Sequence, residues 1–164
     1  SAASDVYKRQ GESGFGAAML AHNKGFNVFV SDLNKINENR KSEMIKKSIM
    51  FEEENHSFDK IKLSDFVIKS PGISNSSEII LKIKSYGIPI ISEIEFASNY
   101  SNSFKICITG TNGKTTTTKL IYNILKRAGL NVGLAGNIGD SFSKMLLSGD
   151  KDCLLYTSDA ADED

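Results

Sequence analysis

The sequence predicts an α/β protein with parallel strands, built from two consecutive strand-loop-helix regions. Three observations predict it. Strand-like and helix-like apolar runs alternate along most of the 164 residues, the pattern of parallel sheets joined by helical crossovers. Two glycine-rich runs, GESGFG from Gly11 and GTNGKTT from Gly110, each stand directly before a helical pattern. Two turn motifs, Ser70-Pro71-Gly72-Ile73 and Gly136-Asn137-Ile138-Gly139, follow strand-like runs, at the carboxyl ends where open α/β sheets bind ligands.

The elements follow in order. After GESGFG, read as a loop, Ala17 to Lys24 suits a helix stopped by Gly25, and NVFVSD (Asn27 to Asp32) reads as a short buried strand. The charged stretch from Asn37 to about Met50 carries Met44, Ile45 and Ile49 at helical spacing and reads as a surface helix with solvated charges. DFVIKS (Asp65 to Ser70) is the next strand. Glu78 to Tyr86 is helix-like, with Ile79, Leu81 and Ile83 apolar and Gly87 as its stop, and leads into the strand IPII. Ser92 and Glu95 have capping-box spacing, so SEIEFA opens a helix. The polar stretch SNYSNS (Ser98 to Ser103) reads as a linker. Beyond it come the strand FKICIT, the loop GTNGKTT, a helix with Leu120, Ile121, Ile124 and Leu125 on one face and Gly129 as its stop, the strand NVGLAG, and a last helical piece, SFSKMLL.

Composition narrows function. Lys+Arg 20 against Asp+Glu 20 gives a formal net charge of zero, which excludes a basic surface for wrapping nucleic acid or coating an anionic membrane. Any anion must be held by local geometry. Hydrophobic residues at 40% support a packed core, so a disordered or disulfide-scaffold reading is excluded. Two cysteines, Cys107 and Cys153, lack C-x-x-C spacing and point to a reducing, cytoplasmic compartment. Cys107 is expected to be a small buried hydrophobe. No run approaches about 18 uninterrupted apolar residues, and no signal-peptide core is visible. His22 and His56 have no partner at metal spacing and read as surface residues.

The loop Gly110-Thr111-Asn112-Gly113-Lys114-Thr115-Thr116 carries the strongest chemical signal. Between a buried strand and a helix, its backbone N–H groups converge at the positive end of the helix dipole, a setting for the polyphosphate of ATP. Lys114 can place its charge on the β- and γ-phosphates, and the Thr115 hydroxyl can reach Mg²⁺. The loop is a shorter variant of G-x-x-x-x-G-K-[ST], because Ile108 stands where the first glycine would be. Its bland alternative is a surface turn with threonines chosen as caps. GESGFG followed by Asp32 about 20 residues later is a weaker match to a dinucleotide loop. VYKRQ before it is a poor strand, and Asp32 reads equally as a ribose-facing acid or a strand-end turn residue.

Taken in order, GESGFG, VSD, KSPGI, SEIEFA, ICITGTNGKTTTT and NVGLAGNIG resemble the Mur ligase family of peptidoglycan synthesis, and within it the D-glutamate-adding branch, over about Gly11 to Asp152. The resemblance implies a Rossmann-like domain at 11–97 holding the UDP end of the substrate, a linker at 98–103, and the start of a P-loop-type central ATPase domain at 104–152. It implies an ATP- and Mg²⁺-dependent amide ligation, through an acyl phosphate, of UDP-N-acetylmuramoyl-L-alanine with D-glutamate, by a cytoplasmic monomer serving cell-wall growth and division, without nucleic acid or membrane insertion. By position, Glu12, Ser13, Gly14, Asp32, Ser70, Pro71 and Gly72 would contact the uridine diphosphate, and Asn137 the substrate near its phosphates and sugar. Gly110 to Thr116 would bind ATP, with Lys114 and Thr115 in catalytic roles.

The flanks depart from the family pattern. SAASDVYKRQ (1–10) stands where the resemblance expects a hydrophobic first strand, and 153–164 where it expects a continuing ATPase domain; both resemble translated adapter sequence. The chain is therefore expected to lack turnover and to aggregate through an uncovered sheet edge. Three other readings remain: a nucleotide-binding module without turnover, another Mur ligase, and an NAD-dependent oxidoreductase built on GESGFG.

Overall fold

The computed structural model describes residues 2–137, 139–149 and 151–157, with side chains from Ser13 onward. Its elements are α1 (Ala2–Asn23), β1 (Phe29–Ser31), α2 (Glu38–Lys46), β2 (Met50–Glu52), α3 (Phe58–Ile61), β3 (Val67–Lys69), α4 (Glu78–Ser85), β4 (Ile90–Ser92), α5 (Glu93–Ser98), β5 (Phe104–Ile108), α6 (Lys114–Arg127), β6 (Val132–Gly136), α7 (Phe142–Leu147) and β7 (Cys153–Thr157). Every strand pair is parallel, as the alternation predicts: β1 with β2, β3 with β4, and β7 between β5 and β6. The first region is thus two separate parallel pairs, each closed by a helical crossover.

Local chemistry places these elements. Asn37 caps α2 by accepting from the Asn39 N–H at 2.9 Å, and α2 buries Met44 completely while Ile45 stays exposed. Ser92 and Glu95 form the capping box of α5 read from their spacing. Helix α4 turns Ile80 and Ile83 inward and leaves Leu81 out, so its buried stripe is shifted from the Ile79–Leu81–Ile83 reading.

Among the described residues, four apolar clusters form. The largest joins both regions: Leu20 and Ala21 of α1, Phe96 and Ala97 of α5, Ala135, Phe142 and Met145, and Leu154 of β7. Phe142 and Leu154 are fully buried, each worth about 1.5–3 kcal/mol by transfer from water. Smaller clusters lie under β1–β2 around Met44, under β3–β4 around Ile80 and Ile83, and between β5–β7–β6 and α6.

Several expectations change. GESGFG is not a loop but part of α1, which runs unbroken from Ala2 to Asn23. Among the described residues α1 already occupies the positions ahead of the glycines, and Ala, Lys, Arg and Gln there favour helix enough to carry glycines that each cost about 1 kcal/mol. The dinucleotide-loop reading, and with it the oxidoreductase, loses its structural basis. Residues 153–157, set apart with the tail, form the buried central strand β7; 158–164 lie outside the described residues. Cys107 is exposed on the edge strand β5, whose Ile106 and Ile108 instead pack, with Ile121 and Leu125 of α6, against the cluster of Val132, Cys153 and Leu155. The same geometry leaves Leu120 and Ile124 of α6 exposed. The polar stretch 98–103 is anchored: Ser101 and Ser103 are buried, and the Ser103 hydroxyl accepts from the Lys151 N–H at 3.2 Å.

Candidate nucleotide sites

The first site is the turn between β5 and α6. Gly113 caps α6 in the left-handed conformation, φ 77°, where no side chain covers the helix end, so the first-turn N–H groups face the loop. The left-handed geometry favours glycine, which enters it without steric cost. Lys114, half-buried at the first helical position, donates from Nζ to the Gly110 carbonyl across the loop. Thr118, completely buried one turn on, ties its hydroxyl to the Lys114 carbonyl at 2.7 Å and stiffens the turn. Thr115 and Thr116 are exposed at the helix start, beside Thr111 and Asn112 in the loop. A cation, uncapped N–H groups and exposed hydroxyls at one strand end fit a polyphosphate with its magnesium. Lys114 and the loop backbone would hold the phosphates, and the Thr115 hydroxyl would reach the metal.

The second site is a cleft of about 1410 Å³ between the two parallel pairs. Gly14, Asp32, Ser70 and Gly72, predicted from the sequence, all line it. A Cβ on Gly14 would come within 2.9 Å of the Ser70 hydroxyl, so α1 touches the Ser70-Pro71-Gly72 turn. Asp32 accepts from the Asn34 N–H at 2.8 Å, a turn role that leaves its second oxygen for other partners. Lys69, at the end of β3, donates to the Ile73 carbonyl at 2.7 Å and closes the turn.

The other predicted contacts stand apart. Ser13 and Pro71 do not line the cleft, and the side chain of Glu12 lies outside the described residues. Asn137 sits beyond β6, its N–H donating to the Thr157 carbonyl at 2.9 Å, nearer the phosphate-loop sheet than the cleft; Ile138 beside it is outside the described residues.

Sequence reading missed a polar cluster on this cleft. Ser31, the last residue of β1, has Glu52 Oε1 at 2.8 Å and His56 Nδ1 at 2.6 Å from its hydroxyl. Burial pushes the Glu52 carboxyl up, but hydrogen bonds from Ser57 and Ser31, and Lys60 at 3.5 Å, outweigh it and leave the group below its ordinary value. His56, expected at the surface without a role, is half-buried and held. The signal available was its distance of a few residues from a strand end, which is invisible while Phe51 and Glu52, just past the helix read to about Met50, are assigned to no strand.

Parallel strands with a glycine-rich loop ahead of α6 at one set of carboxyl ends and a polar cleft at another define an α/β protein with two candidate ligand sites. Known proteins sharpen that class. Residues 16–79 match the MurD N-terminal domain and residues 108–153 the Mur ligase middle domain. The UDP-N-acetylmuramoylalanine-D-glutamate ligase of Bacteroides fragilis is 56% identical over 133 residues, 81% of this chain and 30% of that protein. The protein of that name from Christiangramia forsetii is 48% identical over 136 residues, 83% of this chain and 31% of its own length. This chain belongs to the Mur ligase family, and it spans about 30% of the length of the curated relatives it matches. Solved structures share the fold: a murein peptide ligase from Psychrobacter arcticus 273-4, TM-score 0.56 at 20% identity, covers 94% of this chain and 38% of its own. A UDP-N-acetylmuramate:L-alanyl-gamma-D-glutamyl-meso-diaminopimelate ligase from Neisseria meningitides has TM-score 0.51 at 18% identity, with 88% of this chain and 48% of that one covered.

Proposed function

We propose that this chain belongs to an ATP-dependent ligase that joins D-glutamate to UDP-N-acetylmuramoyl-L-alanine in peptidoglycan synthesis. The observation that carries the reading is the Gly110–Thr116 loop, a phosphate cradle at the carboxyl end of β5 with Lys114 in its turn. The choice of substrates is supported by 56% identity to a ligase of that name. Gly14, Asp32, Ser70 and Gly72 would hold the uridine diphosphate.

In this reading Lys114 neutralises charge that grows on the transferred phosphoryl group, and the loop N–H groups fix its position. Magnesium on Thr115 would screen the phosphates. The alanyl carboxylate is activated by phosphoryl transfer, the D-glutamate amine attacks, and phosphate leaves. The enzyme would work as a monomer in the cytoplasm, where thiols such as Cys107 and Cys153 stay reduced. The Gly110–Thr116 loop of this chain alone is proposed to bind nucleotide without turning it over.

The test uses a full-length ligase carrying this segment. ADP release should require both UDP-N-acetylmuramoyl-L-alanine and D-glutamate, and Lys114→Ala should slow it at least about 100-fold while calorimetry shows unchanged binding of the UDP substrate. Equal rates in variant and parent would remove Lys114 from the mechanism, and ADP release independent of D-glutamate would overturn the substrate assignment.

A further inference from the structure

We infer that His56 is a substrate-contacting residue: held by Ser31, it accepts a hydrogen bond from the nucleoside of the nucleoside diphosphate substrate, an inference that rests on the nucleotide reading of the cleft. Ser31 has one hydroxyl proton and three candidate partners, Glu52 Oε1 at 2.8 Å, the Asn55 carbonyl at 3.2 Å and His56 Nδ1 at 2.6 Å. Glu52, kept ionised by the Ser57 and Lys60 contacts, is the strongest of these acceptors. The proton therefore goes to Glu52, and the Ser31 oxygen accepts from Nδ1–H of His56. That bond fixes the tautomer and the ring plane, leaving Nε2 as an acceptor for a donor outside the protein.

The ring stands where such a donor would arrive. His56 lines both the large cleft and a smaller cavity of about 300 Å³ beside it. Leu33, Phe58 and Ile79 give the smaller cavity apolar walls. Ser77 lines both spaces too, and its buried hydroxyl has no hydrogen-bond partner among the described residues. An unmet buried hydroxyl costs about 1–3 kcal/mol, and a few convergent polar groups on apolar walls are how small-molecule pockets fix orientation. Asp32 and the Ser70 turn lie on the same cleft at the strand ends. A flat, donor-bearing nucleoside with its phosphates toward Ser70 and Gly72 matches this distribution. Its donor is either the N3–H of a uracil or a ribose hydroxyl.

The chain has two histidines, His22 and His56, so imidazole NMR of the 164-residue protein reads the site directly, with His22 on α1 as internal control. Titration with UMP should move the His56 ring signals saturably and leave those of His22 in place. His56→Ala should weaken UMP binding about tenfold, His56→Gln, which keeps an acceptor, should recover most of it, and Ser31→Ala should weaken it by freeing the ring. Whichever of 3-methyl-UMP and 2′-deoxy-UMP binds His56→Ala as well as the parent lacks the donor that His56 engages. Saturable UMP binding with an unmoved His56 signal, or with full affinity in His56→Ala, would overturn the inference and leave the nucleotide reading standing. A cooperatively folded chain that does not bind UMP would remove both.

Discussion

Single side chains decide how the two regions meet. Glu93, 4% exposed, opens α5, and its Oε1 accepts from the Ser143 N–H of α7 at 2.6 Å, a bond between residues 50 apart in sequence. It satisfies a donor in the first turn of α7 that no intrahelical carbonyl can reach, while Ser141 caps the Lys144 N–H. Glu93→Ala would strand that N–H in the interior, and urea denaturation should show a loss of about 1–3 kcal/mol. Glu93→Gln keeps a carbonyl acceptor in place and should lose clearly less. Equal losses in the two variants would mean that packing, not the hydrogen bond, is what Glu93 contributes.

At the scale of elements, the sequence was legible where a local signal has one structural outcome. The S-x-x-E spacing of Ser92 and Glu95 produced the capping box, and the strand ahead of Gly110 and the helix after Gly113 formed on either side of the glycine turn as read. It failed where the outcome depends on distant partners. The three residues of β2 carry no period of their own and are a strand because β1 lies alongside. Strand β7 is central only because β5 and β6 flank it. Of the cleft, Gly14, Asp32, Ser70 and Gly72 were legible as motif positions, whereas His56 depends on a fold contact with Ser31. Helix α1 offers the sharpest test of context over propensity. Gly16→Ala in an isolated helix stabilises by about 0.5–1 kcal/mol. Here a Cβ would collide with the Ser141 hydroxyl and sit 3.2 Å from the Lys144 nitrogen, so the substitution should instead lower the urea midpoint by prying α1 from α7. A raised midpoint would show that this close approach is relaxed in solution.

Across the whole molecule, the first region is a sheet divided in two. Among the described residues, strands β1 and β3 each pair on one side only, and both line the 1410 Å³ cleft between them. Phe29, Val30, Val67 and Ile68 give these edges an apolar character without the inward charges or proline that usually blunt an open edge. A parallel pair of three-residue strands is also a short structure to stand alone, so an extended apolar segment laid into the cleft would gain hydrogen bonds to both edges at once. A second copy of the chain can supply such a segment. Sedimentation velocity should show association that grows with protein concentration, and hydrogen exchange should show amide protection at 29–31 and 67–69 rising in parallel while β7, already paired on both sides, stays constant. Strand β5 is the competing edge, with Phe104 71% exposed. Protection rising at 104–108 while 29–31 and 67–69 remain unchanged would move the contact to that edge, and a monomer at all concentrations would show that α1 and the surrounding side chains close the cleft well enough to silence it.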